Sequence, residues 1–529
     1  MSLLPRRGTW RSPIVLALAG SVALASAAAA AVRVPSAAPS TGSPSATPAA
    51  TNLLPPATAL LAGTTGIGSW TGSAASAVRV ATPPAPSGGT LSVNPTVSGY
   101  PFVSTGSAEV AATPGSVYRA TALVQAAATP ASYAPYLVFY DVARAPIATV
   151  KGQVSTDQVG TWRPTVPVVA LAPTGTAYVG IRLLWAAAAG DVHYVAQPAL
   201  TLRGGGSARV AGPLRTSGNK IYDATGHVVV LRGLHRFGFE GSIGGFGVPN
   251  NFSQAEVDAA KAWGANVVRL SVASPFWLSS SCNYDSTYQT RVDQAVQMIT
   301  GKGMVALFDL HFNSTDACSA VGPQLMADST AVAFWKSAAA HYKSNPLVAF
   351  DLYNEPHDIT DAVWRNGGSV TSGGTTWTAV GMQSLYDAVR STGAKNLVVV
   401  SGNSWANRYP SNPITGSNLV YGVHAYTCPN SPTGSDCLAN PMDPSSLLNS
   451  WVAPSASVPV MVSEFGWPSA TDGTYVRNVI SFAEAHGWGW SAFAWDGSTL
   501  GNFALLADSG PFYEPNATGM AVLDGYAKN

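Results

Sequence analysis

The chain has 529 residues, which exceeds one ordinary domain and leaves room for a barrel of about 250 residues beside a second domain. Its formal net charge is +1, 10% of its residues are charged, and neither a basic stripe nor an acidic tail is visible. This pattern argues against nucleic acid and anionic membranes as partners. The neutral polar and aromatic residues suit an uncharged polar ligand such as a sugar, although aromatic residues also fill cores.

The N-terminus has the features of an export signal. Arg6 and Arg7 precede an apolar segment, Ile14–Val22, and the small residues Ala25–Ala31 offer cleavage sites. These features predict a signal peptide over residues 1–31 and a secreted, extracellular protein. An uncleaved membrane anchor is the alternative, which the alanine-rich, weakly apolar segment disfavours.

Four cysteines lie in the second half of the chain, namely Cys282, Cys318, Cys428 and Cys437. An even number of cysteines in an exported chain indicates disulfides. Three pairings are possible, and we expect Cys282–Cys318 between neighbouring loops and Cys428–Cys437 across a short loop. A metal site made of these cysteines is disfavoured, because no C-x-x-C spacing occurs.

Composition divides the region before the barrel into three parts. Residues 32–59 are rich in Ala, Ser, Thr and Pro and are predicted to form a flexible linker. Residues 60–203 contain strand-like segments such as Tyr136–Tyr140 and Ala177–Trp185, separated by glycine and proline turns, which predicts an all-β sandwich. A glycine-rich second linker over residues 204–214 follows.

From residue 215 to residue 529, strand-like and helix-like segments alternate. The predicted strands are 228–235, 266–272, 304–311, 347–354, 396–402, 419–424, 458–464 and 489–495. The predicted helices are 253–263, 288–300, 330–342, 376–392, 475–486 and 518–527. Ser253 and Glu256 form a capping box at the start of the first helix. Eight strands, mostly separated by helices, predict a parallel (β/α)8 barrel.

Two glutamates end predicted strands of this barrel. Glu355 lies in Asn354-Glu355-Pro356 after the fourth strand, and Glu464 ends the seventh. The C-terminal strand ends of such a barrel meet in one mouth, so the two carboxylates are expected to face each other. Two facing carboxylates are what glycosidic bond cleavage requires. Each alone has an ordinary explanation, because Asn-Glu-Pro is a common strand exit and carboxylates often cap loops.

Polar and aromatic side chains end the other predicted strands. They are His235, Arg236, Arg269, Asp309, His311, Trp405, His424, Tyr426, Trp495 and Asp496. Singly, each could be an ion-pair partner or a core residue. Their joint placement at strand ends predicts an active site. A zinc site is not expected, because neither His-x-His nor His-Glu-x-x-His occurs.

An ordered set of these residues resembles the pattern of glycoside hydrolase family five, a cellulase-like family of a retaining clan. The set is Arg269, His311, Asn354-Glu355, His424-Ala425-Tyr426, Glu464 and Trp495. The resemblance covers roughly residues 215–529. It implies a barrel enzyme that hydrolyses glycosidic bonds with retention of configuration and needs neither cofactor nor metal.

The resemblance also implies residue roles. Glu464 would be the nucleophile and must stay ionised, while Arg269 and Tyr426 would donate hydrogen bonds to it. Glu355 would be the acid/base and must start protonated.

The remaining implied roles concern the sugar at the cleavage point. Asn354 would bond its 2-hydroxyl, and His311 and His424 would bind the same sugar. Trp495 would give its ring an apolar stacking face, and Trp405 would extend the cleft.

The chain departs from the family pattern in places. Many cellulases carry Asn near the end of the first strand, where this chain has Gly233-Leu234-His235. Long insertions follow Glu355 and Tyr426. These loops are expected to line the mouth and to decide which sugar is cleaved.

The region over residues 60–203 resembles, more faintly, the jelly-roll carbohydrate-binding modules found beside such barrels. The usual acidic pair before the last strand is replaced by His193-Tyr194, so a calcium site is doubtful. The candidate sugar platforms are Trp70, Tyr100, Trp162 and Trp185, with core packing as the alternative role.

Together these features predict a secreted, retaining endo-β-glycosidase that acts on a plant-type polysaccharide or oligosaccharide, first of all an endo-β-1,4-glucanase. A β-mannanase, a β-1,3-glucanase and an exo-acting β-glycosidase are the alternative enzymes. A non-catalytic carbohydrate-binding protein is the alternative from another class. A monomer is expected, without nucleic-acid or membrane partners after signal cleavage.

Overall fold

The computed structural model describes residues 51–106, 110–203, 209–241, 252–313, 324–426, 443–466, 473–497, 503–507 and 513–526. All of them belong to one unit, Ala49–Asn529. The signal peptide predicted over residues 1–31 lies outside these ranges. No helix within them is long and apolar enough to cross a membrane.

One of the four cysteines, Cys282, lies in the described part of the chain, where it forms a disulfide. Its three possible partners, Cys318, Cys428 and Cys437, lie outside the described ranges. The pairings Cys282–Cys318 and Cys428–Cys437 therefore stay predictions.

In the described part of residues 71–203, thirteen strands form two antiparallel sheets. They are β1 (Thr71–Ser73), β2 (Ala75–Val80), β3 (Thr90–Pro95), β4 (Phe102–Ser104), β5 (Val110–Ala111), β6 (Val117–Ala126), β7 (Ser132–Tyr140), β8 (Pro146–Lys151), β9 (Ser155–Thr156), β10 (Arg163–Pro164), β11 (Val168–Leu171), β12 (Tyr178–Ala186) and β13 (His193–Arg203). The first sheet has the order β1-β4-β12-β7-β8, with β5 on β12 and β9 on β7. The second has the order β10-β6-β13-β3-β2, with β11 on β6.

The two sheets share one apolar core. Leu91 and Val93 from the second sheet are buried in the same cluster as Leu137 and Phe139 from the first. One residue separates the two members of each pair, because successive side chains of a strand point to opposite faces. The all-β character of this region is as expected, and its jelly-roll topology stays a prediction.

Two of the four predicted sugar platforms are core residues, so that interpretation is wrong for them. Trp70 and Trp185 are 3% and 0% exposed, and their indole N–H groups donate to the Thr58 carbonyl and to Asp157. A large ring with a satisfied N–H group fits a sandwich interior better than a wet surface. Tyr100, at 73% exposed, stays a candidate, as does the half-buried Trp162.

The end of the predicted first linker belongs to the sandwich. Asn52 hydrogen-bonds the carbonyl of Pro198, and Leu54, Ala59 and Leu60 are buried in the sandwich core. The linker predicted over residues 32–59 is therefore too long at its C-terminal end. The composition of the linker does not change at this point, so composition alone does not show that Leu54 and Leu60 pack into the sandwich core.

The chain then forms a small antiparallel sheet and the barrel. The strands are β14 (Arg215–Ser217), β15 (Lys220–Tyr222), β16 (Val228–Val229), β17 (Arg232–Arg236), β18 (Val267–Ala273), β19 (Val305–Phe312), β20 (Val348–Asp351), β21 (Gly368–Ser372), β22 (Thr375–Ala379), β23 (Val398–Ser401), β24 (Leu419–Ala425), β25 (Val460–Phe465) and β26 (Gly489–Ala492). A closed barrel has the order β17-β18-β19-β20-β23-β24-β25-β26, and its neighbouring strands are parallel. The predicted (β/α)8 barrel is confirmed.

Helices surround this barrel. They are α1 (Gln254–Trp263), α2 (Ser274–Trp277), α3 (Tyr288–Gly301), α4 (Ser329–Tyr342), α5 (Asp361–Asn366), α6 (Met382–Ser391), α7 (Ser445–Val452), α8 (Thr474–His486) and α9 (Ala517–Tyr526), with short 3-10 turns at Phe239–Gly241 and Pro454–Ala456. Ser253 caps α1 by accepting a hydrogen bond from the Glu256 N–H at 3.2 Å, as predicted.

The helix predicted over residues 376–392 is wrong in its first part. The strands β21 and β22 form a hairpin there, and α6 begins at Met382. Gly373 and Gly374 make the turn with φ of 55° and 81°, a conformation that glycine adopts without a steric penalty. The threonines that follow favour a strand, because their branched side chains restrict rotamers in a helix.

The strands β14, β15 and β16 close the N-terminal end of the barrel. The single strand predicted over residues 228–235 is two strands in the structure. The first, β16, pairs with β15 of the small sheet, and the second, β17, is the first strand of the barrel. Leu214 and Ile221 pack in one cluster with Leu231 and Val305, which lie at the N-terminal ends of barrel strands.

The sandwich contacts this same region of the barrel unit. Val117 and Val169, on the outer side of the second sheet, are buried in the apolar cluster of the barrel, and Arg203 pairs with Asp524 on α9. The Val210 N–H donates to the Gly303 carbonyl at 2.8 Å, just before β19 begins. The sandwich and the barrel thus share buried apolar surface.

We expect Ile221→Ala to lower the free energy of unfolding by about 2–4 kcal/mol, because it removes buried methyl groups and leaves a cavity. Urea unfolding followed by tryptophan fluorescence measures the change. The matched control is Val228→Ala on the neighbouring strand, where the side chain is 49% exposed and the expected change is below about 0.5 kcal/mol. Equal effects of the two substitutions would contradict the capping role of Ile221.

Candidate active site

The C-terminal strand ends bring most of the predicted site residues together. Those linked by direct contacts are Arg269, His311, Asn354, Glu355, His424, Tyr426 and Glu464, joined by His235, Asp309 and Asp351. The elements that carry them are β17, β18, β19, β20, β24, β25 and the segments directly after β20 and β24. This is the location at which such barrels hold their chemistry.

Arg269 is the centre of the network. Its guanidinium is fully buried and donates to Asp351 at 3.0 Å, to Glu464 at 2.6 Å and to the Asn354 side-chain oxygen at 2.9 Å, and Asp309 lies 3.1 Å away. Burial would lower the pKa of Arg269, but the surrounding carboxylates raise it. A permanently charged, planar donor group can therefore fix several acceptors at once.

Glu464 is held as a carboxylate. The Tyr426 hydroxyl donates to one of its oxygens at 2.7 Å, and Arg269 donates to the other, which also lies 3.1 Å from His235 Nδ1. Burial would raise the pKa of Glu464, but the electrostatic interaction with His424, the hydrogen bond from His235 and the charge of Arg269 outweigh burial and hold it well below its usual range. An ionised, oriented carboxylate is what a nucleophile requires.

Glu355 lies close enough to Glu464 for a shared reaction centre. One oxygen of each glutamate and one nitrogen of His424 lie within 4.8 Å of one another. Retaining glycosidases have carboxyl groups about 5–5.5 Å apart, and inverting ones about 6.5–9.5 Å. The Glu355 side chain is 19% exposed and that of Glu464 is 8% exposed, so Glu355 is the more accessible of the two to solvent.

His424 lies at the end of the sixth barrel strand, as predicted, but its surroundings do not fit the sugar-binding role predicted for it. Its ring is fully buried, and its Nδ1 lies 2.8 Å from a Glu355 oxygen. Direct sugar binding by His424 is therefore not supported by its geometry, because the ring is closed to solvent and its Nδ1 is engaged by Glu355.

His311 lies beside Asn354 at the mouth. Its Nδ1 contacts Asp309 at 2.7 Å, and its Nε2 lies 3.5 Å from the Asn354 amide nitrogen. Burial would lower the pKa of His311, but the negative charge of Asp309 outweighs burial and raises it to about 9. The ring is 12% exposed, so its outer N–H group can reach a ligand.

Three residues of the network had no role assigned from the sequence. His235 contacts Glu464 and Arg269, and burial together with the charge of Arg269 lowers its pKa to about 4, which leaves the ring neutral at neutral pH. Asp309 and Asp351 orient His311 and Arg269. The signal that could have found them is their position near the ends of β17, β19 and β20, with Asp309 two residues before His311 and Asp351 three residues before Asn354.

Trp495 does not offer a stacking face, so that prediction is wrong. Its ring is 2% exposed and packs edge-on against Trp263 at 4.8 Å and face-on against Tyr513 at 5.8 Å. β26 ends three residues earlier, and the chain has already turned towards α1. The half-buried Phe493, directly after β26, is the aromatic side chain at the mouth, with its ring 5.0 Å from that of His235.

Trp405 lies beside the segment that carries Glu355. Its indole stacks on His357 with ring centres 3.5 Å apart and planes inclined by 15°. One face of the indole is therefore covered by protein. Whether the other face extends the cleft stays a prediction.

Two groups of side chains within the described ranges could offer ligands to a metal ion. They are His235, His311 and Glu464, and Glu355, His424 and Glu464. The Arg269 guanidinium lies 2.6 Å from Glu464, the carboxylate common to both groups. A fixed positive charge at that distance disfavours a second cation on the same carboxylate.

Comparisons with known proteins give a consistent result. The family model described as cellulase (glycosyl hydrolase family 5) matches residues 222–499. A manganese dependent endoglucanase of Phanerodontia chrysosporium is 26% identical over 245 residues, which cover 43% of this chain and 59% of that protein. Endoglucanase 3 of Humicola insolens is 30% identical over 155 residues, which cover 27% and 35% respectively. The chain therefore spans less than two thirds of either relative.

Among solved structures, the catalytic domain of the major endoglucanase from Xanthomonas campestris pv. campestris matches with a TM-score of 0.45 and 19% identity. The match covers 60% of this chain and 100% of that one.

We expect the His311 ring to stay charged to well above neutral pH. Its folded-state pKa of about 9 lies above the ordinary 6.5, so its contribution to stability is complete below pH 6.5 and is lost as the pH rises through about 9. An NMR titration should give a midpoint near pH 9 for the His311 ring, and this midpoint should be lower in Asp309→Asn. A wild-type midpoint at or below 6.5 would contradict the assigned pairing.

Proposed function

Since the chain belongs to the cellulase family, glycosyl hydrolase family 5, we propose that it is a retaining endo-β-1,4-glucanase. The observation that carries this proposal is the approach of Glu355 and Glu464, with oxygens within 4.8 Å of each other. That spacing fits double displacement and is too short for a water molecule to attack between the two groups.

In the first step, a Glu464 oxygen attacks the anomeric carbon while Glu355 transfers its proton to the glycosidic oxygen. The bond between that carbon and that oxygen breaks, the shortened chain leaves as an alcohol, and a covalent glycosyl-enzyme remains.

In the second step, Glu355 is a carboxylate and takes a proton from water. The water oxygen attacks the anomeric carbon, the ester bond to Glu464 breaks, and the sugar leaves with its original configuration. The hydrogen bonds to Glu464 from Arg269 and Tyr426 support its role as a nucleophile and as a leaving group.

The amide of Asn354 and the charged ring of His311 are suited to bind sugar hydroxyls. Asn354 is fixed through its oxygen by Arg269, which leaves its N–H groups directed away from that bond. A positioned donor beside the reacting carbon can strengthen its hydrogen bond as charge develops in the transition state.

A β-1,4-glucan is the proposed substrate because the family match and the curated relatives named above are endoglucanases. β-Mannan and β-1,3-glucan are the neighbouring candidates, and exo action on shorter sugars is another. The insertion after Tyr426, which is expected to bear on this choice, lies outside the described ranges.

We further propose that the protein is secreted after removal of residues 1–31 and acts as a monomer stabilised by disulfides. Residues 215–529 would form the catalytic domain, and the sandwich before it would bind carbohydrate.

The central experiment is reducing-sugar release from carboxymethylcellulose, mannan and laminarin by the wild type, Glu355→Ala and Glu464→Ala. We expect activity on carboxymethylcellulose, reduced by about a hundredfold or more in each variant. Sodium azide separates the two roles on an activated aryl cellobioside. Glu355→Ala should form a β-glycosyl azide, because azide replaces water without needing a base, and Glu464→Ala an α-glycosyl azide.

Two outcomes would redirect the proposal. Unchanged hydrolysis in Glu464→Ala would remove the nucleophile assignment, whereas a wild type inactive on all three polysaccharides would favour a non-catalytic carbohydrate-binding role for this barrel. Activity that a chelator abolishes and Mn²⁺ restores would favour a metal-dependent hydrolase, which the name of one relative and the two His/Glu groups make worth measuring.

The sandwich is tested in the full chain, with Glu464→Gln to prevent hydrolysis. We expect Tyr100→Ala and Trp162→Ala to reduce retention on insoluble cellulose several-fold, because an exposed ring supplies the stacking surface for a sugar. The matched control is Tyr284→Ala, which removes a tyrosine that is 42% exposed on the barrel side. Equal retention of all variants would leave the sandwich a structural domain.

A further inference from the structure

The backbone of Glu355 is in a conformation that its side chain does not favour. Its φ is 52°, in the left-handed region that residues with a Cβ rarely enter. Such a conformation costs on the order of 1–3 kcal/mol and persists where the surrounding structure over-determines it. The contacts that hold this residue therefore also set where its carboxyl group points.

His357 makes the nearest of these contacts. Its Nδ1 lies 2.8 Å from the Glu355 carbonyl oxygen, and because a carbonyl can only accept, Nδ1 carries the proton. The residue is 6% exposed, and its backbone N–H donates to the Leu325 carbonyl at 3.0 Å. The ring is thus a fixed donor directed at the backbone of Glu355.

Trp405 holds the ring of His357 in place. The two rings stack with their centres 3.5 Å apart, and the backbone N–H of Trp405 donates to the Pro356 carbonyl at 3.0 Å. Ser404, Trp405 and Ala406 have φ of 58°, 61° and 56°, so three successive left-handed residues bring the indole back over the Glu355 segment.

Asp361 anchors this left-handed turn from below. It accepts two hydrogen bonds from Arg408, at 2.8 and 2.6 Å, and one from Asn403 at 2.9 Å. Both residues flank the turn, and Asp361 is the first residue of α5. The turn also reaches the opposite side of Glu355, because the Ala406 carbonyl accepts from the His424 N–H at 3.1 Å.

From these contacts we propose that His357, clamped by Trp405, is a positioning residue for the acid/base Glu355. The donated hydrogen bond holds the strained backbone so that the carboxyl group reaches the glycosidic oxygen. His357 itself touches neither substrate nor the reacting atoms. This inference rests on the proposed glycosidase function and adds a residue that acts on one half of its machinery.

Proton delivery is the step that distinguishes positioning from general stability. Cleavage of a natural glycosidic bond needs a proton from Glu355, whereas a dinitrophenolate group leaves without one. A misplaced acid should therefore lower kcat/KM for cellotetraose and leave kcat/KM for dinitrophenyl β-cellobioside nearly unchanged. A loosened fold would lower both.

Two variants separate the hydrogen bond from the ring. His357→Phe keeps an aromatic ring for Trp405 and loses the donor, and His357→Asn loses the ring and keeps an N–H at the position of Nδ1. We expect His357→Phe to lower kcat/KM for cellotetraose by about tenfold to a hundredfold and to change the value for the activated substrate by less than about threefold. His357→Asn should recover most of the loss.

The matched control is His486→Phe on α8. His486 also directs Nδ1 at a backbone carbonyl, that of Phe482 at 2.9 Å, and stacks on the Phe482 ring at 4.4 Å. It lies at the C-terminal end of α8, away from the strand ends that carry the site. Neither substrate should distinguish this variant from the wild type.

The outcomes are distinct. An unchanged value for cellotetraose in His357→Phe, or equal loss on both substrates in both His357 variants, would overturn the positioning role. If His357→Phe loses activity on both substrates and His357→Asn does not, the result for His357→Asn decides. Loss on cellotetraose alone, or recovery of both activities, would support the positioning role. A wild type inactive on both substrates would instead be a failure of the proposed function, on which the inference depends.

Discussion

The buried guanidinium of Arg269 is the interaction on which the rest of the site depends. It lies inside the barrel with three carboxylates around it, at 2.6, 3.0 and 3.1 Å. Removing a charge from water costs several kcal/mol, and the cost is offset only where geometry and hydrogen bonding are good. Each carboxylate oxygen around Arg269 is therefore restricted in position by its need to compensate the same charge.

This constraint makes the two glutamates different although their chemistry is the same. Glu464 accepts hydrogen bonds from the Arg269 guanidinium and the Tyr426 hydroxyl, so its charged form is stabilised. Glu355 has no contact with Arg269 among the hydrogen bonds and ion pairs of the described ranges, and it meets solvent and His424 instead. A barrel with eight converging strand ends can supply these two environments within a few ångströms.

Sequence reasoning located the barrel, both glutamates, Arg269 and Tyr426, because strands buried on both faces give apolar runs and the reactive residues follow their ends. It could not locate contacts that depend on side-chain direction. The position of Trp495 in the chain predicts an aromatic ring at the mouth, yet the chain turns after Ala492 and Phe493 lies there instead. The stack of His357 on Trp405 joins residues 48 positions apart, through backbone angles that no periodicity reveals.

The shared surface between sandwich and barrel has a consequence for how the protein can be divided. Val117 and Val169 come from the sandwich and are buried with the barrel residues, while Arg203 meets Asp524 on the last helix. A barrel excised at residue 215 would keep its eight strands but uncover an apolar patch, and such patches promote association. The sandwich and the barrel therefore have separate sheets but share a buried surface that stabilises both. Substitutions at that surface in one domain are constrained by the packing of the other.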